Sequence, residues 1–491
     1  MKNILTDLPF LNSLKEKLPQ IKIYLVGGSV RNYLLDRPIK DYDLVISQIP
    51  IDELKNALEE YGKVKTIENH FPVLKFIPNF RKEFALSKVE RAKYTKICLD
   101  IALPRKETSL TSGSRKSFEV ISDPYLPIEE DLSRRDFTIN AIAYDIFDNK
   151  IIDPFDGQTD LKSRTIKTVG NPDERLNEDY SRILRAVRFS TELSTENNEF
   201  EIEPETQAAI KKIAPKLHDL IEKGRRALPY ETISEEFFKS IMANPAQTLL
   251  LYKDLDILKN LFPEIAQLEN IEQKGGFHEE GNVLNHILLG LKEMNPEDDL
   301  IIRLAVIFHD LGKFNTHQID ENQRSHFPDH HKIGVIEFEK ISHKFHMAKK
   351  IRENVSFLIK NHMLLLSAKG QMKATKIYHY FCENNILGNQ LLRLSEVDIK
   401  SSLGPQQKEA FENFSNDKEN IFNTCQFFRH QKIDEKLPID GQEIMTLFNL
   451  EPSKKVGELL ALEKDFIINQ TSENKIKPSK EEIISFLKNH L

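Results

Sequence analysis

The sequence predicts an α+β fold, an α/β head followed by an all-helical remainder, and three observations predict it. Short apolar runs bounded by turn residues fill the first 150 or so of the 491 residues and read as strands. From about residue 155 onward the apolar spacing turns helical and stays so. Two turn-rich joints, VGNPDERLN near 170 and IEQKGGFHEEGN near 275, divide that helical part.

Composition narrows the class before any motif is read. An apolar fraction of 40% and a charged fraction of 30% are those of a globular protein. No apolar run approaches the roughly 20 residues that a bilayer span needs. The opening MKNILTDLPFLNSL is too often interrupted by polar residues for a secretory segment, so export is not expected. The three cysteines, Cys98, Cys382 and Cys425, are widely spaced, which reads as a reduced, cytoplasmic protein without a thiolate metal cluster. With 69 basic and 76 acidic residues the net charge is −7, which argues against a general nucleic-acid coat but leaves room for local basic faces. No obligatory protein partner is evident.

The head is read in chain order. IKIYLVGG is a strand entering a glycine turn, and SVRNYLL is a helix capped by Ser29. DYDLVI, FPVLKFI and KICLDIAL are further strands; in the last, Lys96, Cys98, Asp100 and Ala102 share one face, and Ile97, Leu99, Ile101 and Leu103 the other. Asp41 and Asp43, two apart, project together about 7 Å apart on a strand. Two carboxylates so close repel unless a cation lies between them, and hard Mg²⁺ with a nucleoside triphosphate suits them. Asp100 is the candidate third carboxylate of a two-metal site that aligns a hydroxyl and stabilises leaving pyrophosphate. Gly27 and Gly28 let the backbone approach phosphates, and Arg31 reaches the same anions.

Two further segments carry charge in a pattern. In DLSRRDFTINAIAYD (131–145), the functional reading gives Arg135 to a triphosphate and Asp136 to a ribose hydroxyl, against a salt-bridged surface corner. NEDYSRILRAVRF (177–189) reads as one helix with Asp179, Arg182, Arg185 and Arg188 at intervals of three. An aspartate accepts and an arginine donates, so Asp179 with Arg182 matches the amine and ring nitrogen on the pairing edge of cytosine or adenine and rejects guanine and uracil. Arg185 and Arg188 are left for phosphates. The bland alternative is a solvated face of ion pairs.

GGSVRNYLLDRPIKDYDLV, RRDFTINAIAYD, DPFDGQTDL and EDYSRILRAVRF resemble, in order and spacing, the motifs of the bacterial class II tRNA nucleotidyltransferases, the CCA-adding enzymes. Residues 233–265 and 440–460 are similar to neck and tail segments of that family. The resemblance implies a nucleotidyltransferase-type head, a helical neck carrying the base-reading helix, a helical body and a tail, placed at 1–153, 154–272, 273–420 and 421–491. It implies Mg²⁺ at Asp41 and Asp43, and ATP and CTP bound by Gly28, Arg31, Arg135, Asp179, Arg182, Arg185 and Arg188. The implied activity is template-independent addition of CCA to tRNA 3′ ends with release of pyrophosphate; CC-only, A-only or poly(A) addition remain the alternatives. Tyr180, Ser181 and Ser453 depart from the family pattern, and residues 82–98 have no counterpart in it, which bears on Asp100. Basic stretches at 211–226 and 343–352 are candidate tRNA contacts, or equally solvated helix faces.

A second cluster lies downstream. Seven of the fifteen histidines fall between 278 and 331. NHILLG, IFHDLGKF and HFPDHHKIG place His286, His309, Asp310, His326 and His330 in an order that resembles HD-domain phosphohydrolases, with Asp398 of SEVDIKSS as a later aspartate. Imidazoles with carboxylates suit a transition metal, Ni²⁺ or Mn²⁺. Metal-dependent phosphohydrolase activity and a purely tRNA-binding scaffold both follow from the resemblance.

Overall fold

The computed structural model describes residues 4–39, 41–69, 71–79, 98–110, 112–114, 118–221, 224–273, 278–368, 372–433 and 437–491. It divides into two compact units, one ending at Leu261 and one beginning at Phe262.

The first unit is built on a mixed sheet of strands β1 (Lys22–Val26), β2 (Tyr42–Ser47), β3 (Gly62–Asn69), β4 (Phe71–Pro78), β5 (Leu99–Ala102), β8 (Ala143–Asp145) and β9 (Lys150–Ile152). Their order is β3-β4-β5-β2-β1-β8-β9, while β6 (Arg105–Ser109) and β7 (Phe118–Ser122) pair as a separate hairpin. The four strands read from sequence are all present. In β5 Leu99 and Ile101 are buried and Asp100 and Ala102 are half-buried, as alternation requires. Lys96, Ile97 and residues 82–97 lie outside the described residues.

One face of this sheet carries the helix Ile128–Ser133. Its Ile128 and Leu132 pack with Tyr24, Val26, Val45, Ala141, Ala143 and Val169 in a buried cluster. That packing brings the arginines following the helix over the end of β1.

The stretch 177–189 is not one helix. A helix Pro172–Glu178 ends, Asp179 is extended (φ −149°), and a second helix runs Ser181–Leu193. The aspartate itself breaks the run, because its carboxylate accepts from the Ser181 N–H at 2.9 Å and so competes with the helical ladder. The Tyr180 N–H donates to the Gly113 carbonyl, whose own N–H donates to Asn177. Gly113 has φ +84°, and a Cβ there would lie 2.2 Å from the Tyr180 ring, so only glycine closes this clamp. The second helix then packs along Tyr230–Ala243.

The second unit is helical, with Val283–Lys292, Leu300–Phe308, His330–Lys344, Lys349–Asn361 and Asn385–Ser401 at its centre. The long helix Gln407–His430 and the helices Gly441–Phe448, Lys454–Asn474 and Lys480–Lys488 follow. Among the described residues no helix is long and apolar enough to cross a membrane. The reading of the cysteines as reduced is corrected here: Cys382 and Cys425, 43 residues apart, form a disulfide, with Cα atoms 5.2 Å apart. The π-helical segment Tyr378–Cys382 lies against the helix Gln407–His430, a proximity that spacing in sequence does not show. Closing a loop of that length restricts the unfolded chain by about 4 kcal/mol on the chain-entropy model. Reduction, or Cys425→Ala, should therefore lower the unfolding midpoint of the second unit, read by denaturant titration with and without dithiothreitol.

Candidate active site

The carboxylates are assembled by strand register. β2 and β5 run parallel with Asp43 opposite Asp100, and β4 runs antiparallel to β5 with Lys75 opposite Asp100. Residues opposite one another share a face, so Lys75, Asp100 and Asp43 form a row across three strands. The Lys75 Nζ lies 3.3 Å from Asp100 Oδ1. Asp41 stands just before the strand and is exposed. Ser29 ties the pair of aspartates down: its hydroxyl donates to the Asp41 carbonyl at 2.7 Å and accepts from the Asp43 N–H at 3.3 Å. The helix Gly28–Leu34 starts at Gly28, with Gly27 as its N-cap, so Ser29 braces the aspartates instead of capping the helix.

Burial holds the Asp43 carboxyl above the usual range; the Arg135 guanidinium opposes this, and the charges of Asp100 and Asp41 add to it. Burial is the main cause of the shift, and repulsion from the two neighbouring carboxylates adds to it. Carboxylate oxygens are the donor type a hard divalent ion takes.

Gly27 opens the approach. Its φ is +65°, and a Cβ there would stand 2.8 Å from Arg135 and 4.0 Å from the Asp43 carboxylate. Arg135 is aimed by Asp131, a wholly buried carboxylate whose Oδ2 accepts from it at 3.0 Å while Oδ1 holds Arg134 at 2.7 Å. Arg31 is buried and donates to two amide oxygens, Asn140 Oδ1 at 2.8 Å and Asn32 Oδ1 at 3.0 Å. Among the described residues no carboxylate lies within ion-pair distance of it, and burial lowers its pKa to about 10.

Asp136 is saturated. Its Oδ1 accepts from the Phe137 N–H and Asn140 Nδ2, and its Oδ2 from Arg185 Nε at 2.7 Å and from Arg185 NH2. Four donors use the four acceptor positions of a carboxylate. Burial raises this acid, yet Arg185 and Asn140 hold it well below the usual carboxylate range. A ribose hydroxyl given to Asp136 would have to displace one of these donors.

The remaining arginines are also paired. Arg182 donates to the Glu178 carboxylate and, at 2.7 Å, to the Arg175 carbonyl, while Arg188 meets Glu236 at 2.6 Å and Glu192 at 2.8 Å. Arg31, Arg185 and Arg188 all lie over the Phe189 ring, at 5.1, 5.1 and 4.3 Å from its centroid. Phe189 in turn meets Phe137 edge-on at 5.8 Å. Asp179, at the break, and Arg182, in the first turn of the second helix, are both buried. Asp131, Asn140 and Phe189 were not read as site residues from sequence, and Ser29 was read only as a helix cap. The signal available for Asn140 was a lone amide in the apolar stretch TINAIAY.

The second cluster lies within the second unit. His286 Nε2 is 2.9 Å and His309 Nε2 3.6 Å from Asp398 Oδ1, while His330 Nε2 and His362 Nε2 face Asp310 Oδ1 at 3.5 and 3.9 Å. His309, His330 and His362 each donate Nδ1–H to the carbonyl three residues back, those of Val306, Phe327 and Ile359. Their Nε2 lone pairs therefore point inward, and two of them, His330 and His362, face each other at 3.0 Å. Asp310 Oδ2 is taken by the Lys313 ammonium at 2.7 Å, while the facing Nε2 atoms of His330 and His362 with Asp310, and His286 and His309 with Asp398, lie close enough together to hold a metal. His326 is not brought into the cluster: it sits on a short hairpin, 55% exposed, paired with Asp320 at 2.8 Å. His362, at the end of Lys349–Asn361, joins it instead, and His278 and Glu280 border it at His286. Asp310, Lys313, His330 and Asp398 open onto a cavity of about 680 Å³.

Comparison with known proteins covers both clusters. Residues 23–167 match the family described as "Poly A polymerase head domain", 199–268 the "Probable RNA and SrmB- binding site of polymerase A", and 282–396 the "HD domain". The chain is 29% identical over 409 residues to the CCA-adding enzyme of Blochmanniella pennsylvanica, covering 82% of this chain and 89% of that one. It is 31% identical over 361 residues to the multifunctional CCA protein of Neisseria meningitidis, covering 73% of this chain and 76% of that one. Other multifunctional CCA proteins are matched over 63% of their own length. In fold it is similar to the Bacillus stearothermophilus CCA-adding enzyme in complex with CTP, with a TM-score of 0.60, 19% identity, and 100% and 98% of the two chains covered.

The raised Asp43 carboxyl has a measurable consequence. Its contribution to folding is present at acid pH and is lost as pH rises through the raised folded-state pKa, because the folded protein prefers the neutral form. Asp43→Asn should accordingly raise the melting temperature of the metal-free protein at neutral pH and flatten its fall between acid and neutral pH. Added Mg²⁺ should stabilise the wild type and not the variant.

Proposed function

Since the chain belongs to the CCA-adding enzyme family, we propose that its reaction runs on the row of carboxylates Asp41, Asp43 and Asp100, with the residues around Gly27 and Asp179 selecting the nucleotide. The protein adds CMP, CMP and AMP to the 3′ end of tRNA from CTP and ATP, without a template, and releases pyrophosphate at each step. What carries the assignment of the site is the register that sets Asp43 beside Asp100 beneath the glycine at the end of β1.

Asp41, Asp43 and Asp100 would hold a divalent ion, Mg²⁺ in this reading, which when bound would supply Lewis-acid polarisation of the α-phosphate and activation of the 3′-hydroxyl. Gly27 and Gly28 admit the triphosphate, and Arg31 and Arg135 bind it. Asp179 accepts from the exocyclic amine and Arg182 donates to the ring nitrogen of cytosine or adenine. Arg185 and Arg188 bind phosphate after exchanging carboxylate partners for it, and Asp136 meets the ribose once Arg185 has moved. The tRNA lies along 211–226 and 343–352, and the reaction takes place in the cytoplasm. Head, neck, body and tail follow the boundaries 153, 272 and 420 as part of this reading.

Incubating tRNA that lacks its terminal CCA with labelled CTP and ATP, separately and together, tests it. Two C residues and one A are expected; a stop after CC, or unbounded A addition, would overturn the full activity. Asp41→Ala and Asp43→Ala should each lose about a thousandfold in rate, the scale of a removed transition-state contact. Asp179→Ala should bring GTP and UTP within about a hundredfold of CTP.

A second activity rests on the three imidazoles whose Nε2 atoms are aimed inward at Asp310 and Asp398. We propose a metal-dependent phosphohydrolase there, using Ni²⁺ or Mn²⁺. His309→Ala and Asp310→Ala should abolish phosphate release from phosphomonoesters or cyclic nucleotides and leave CCA addition intact. If the wild type hydrolyses nothing under Ni²⁺, Mn²⁺ or Mg²⁺, the cluster is a scaffold.

A further inference from the structure

The amide of Asn140 stands where the nucleotide-binding groups meet. Its Oδ1 accepts from Arg31 NH1 at 2.8 Å, its Nδ2 donates to Asp136 Oδ1 at 3.1 Å, and its main-chain oxygen accepts from Arg135 NH1 at 3.4 Å. The orientation of the amide is chemically forced. A guanidinium can only donate and an ionised carboxylate can only accept, so the oxygen must face Arg31 and the nitrogen Asp136. A hydrophobic residue would serve neither side and an aspartate only one.

The turn that carries it is rigid. Thr138–Asn140 is a single 3₁₀ turn, closed by the Asn140 N–H to the Phe137 carbonyl and the Ala141 N–H to the Thr138 carbonyl, each at 2.9 Å. The Thr138 hydroxyl donates to Asp160 at 2.6 Å, and Gly157 packs so closely that a Cβ there would lie 2.2 Å from the Thr138 carbonyl oxygen. Asn140 itself is 6% exposed. Arg31, by contrast, is a buried cation held by amides, and its remaining positive charge is left for an incoming anion.

We propose that Asn140 is a positioning residue for nucleotide transfer: its amide couples Arg31 to the Asp136–Arg185 pair, so that CTP and ATP meet a guanidinium already aimed at their shared triphosphate. The inference rests on the nucleotide-binding reading of Arg31. It concerns the part that the two substrates have in common, so it predicts equal effects on both and none on the choice of base.

The test is a double-mutant cycle on the full chain, with steady-state CCA addition and calorimetric CTP binding in Mg²⁺ as readouts. Asn140→Ala should raise KM for CTP and ATP alike by about tenfold, the worth of one hydrogen bond to a charged group, with kcat changed less than threefold. In an Arg31→Ala background the same substitution should change KM less than twofold, because the residue through which it acts is gone. Asn140→Asp, equal in shape but unable to donate to an ionised Asp136, goes through the same cycle if the alanine variant does not fold. Equal effects in both backgrounds, an unchanged KM, or a loss confined to kcat would overturn the proposal. Weakened CTP binding by the variant beside a wild type that incorporates no nucleotide would uphold this proposal and sink the transfer reading; a wild type that binds no CTP would sink both.

Discussion

Like charge concentrated by strand pairing is the constraint around which the first unit is arranged. The parallel register of β2 and β5 sets Asp43 beside Asp100, and a half-turn of chain earlier Asp41 adds a third carboxylate. Such a row is unfavourable in itself: Asp43 is pushed toward its neutral form. What surrounds it follows from that cost. Lys75 stands opposite Asp100, Arg135 leans across Gly27, and Ser29 pins the backbone on either side of Tyr42. On the proposed reading, stability is traded here for a place where a cation and a polyphosphate complete the charge balance.

The arginines show the complementary arrangement. Arg135, Arg182, Arg185 and Arg188 each have a carboxylate partner, and three guanidiniums, including that of Arg31, share one aromatic ring. A site that must hold several cations together without substrate needs internal anions to do so. Partner exchange keeps the gain on binding modest, since one ion pair replaces another. Arg31 is the exception, held by two amides and the Phe189 ring with no carboxylate partner among the described residues.

How much of this could be read from residues depended on range. Alternation in KICLDIAL put Asp100 on the polar face, and the structure places that face beside Asp43. The two aspartates with the preceding glycines were legible because all lie within the one short segment 27–43. Periodicity failed at Asp179, where intervals of three continue through a break that a side-chain hydrogen bond creates. Ser29 looks like a cap because it precedes an apolar run, yet its hydroxyl is spent on the aspartate segment twelve residues on. His362 and the Cys382–Cys425 bond depend on helices returning to one another, which no local pattern records. His326, adjacent in sequence to the cluster, is carried outward by its hairpin.

The three inward-facing imidazoles of the second unit repeat one local geometry, each ring anchored to a carbonyl three residues earlier in its own chain. Tautomer choice is thereby decided within four consecutive residues. Substitutions in the loops joining these helices shift where the rings stand, while each ring keeps its proton on the outer nitrogen. Aim and placement are thus separable properties, so drift in the connecting segments erodes the spacing of the cluster well before it erodes its chemistry.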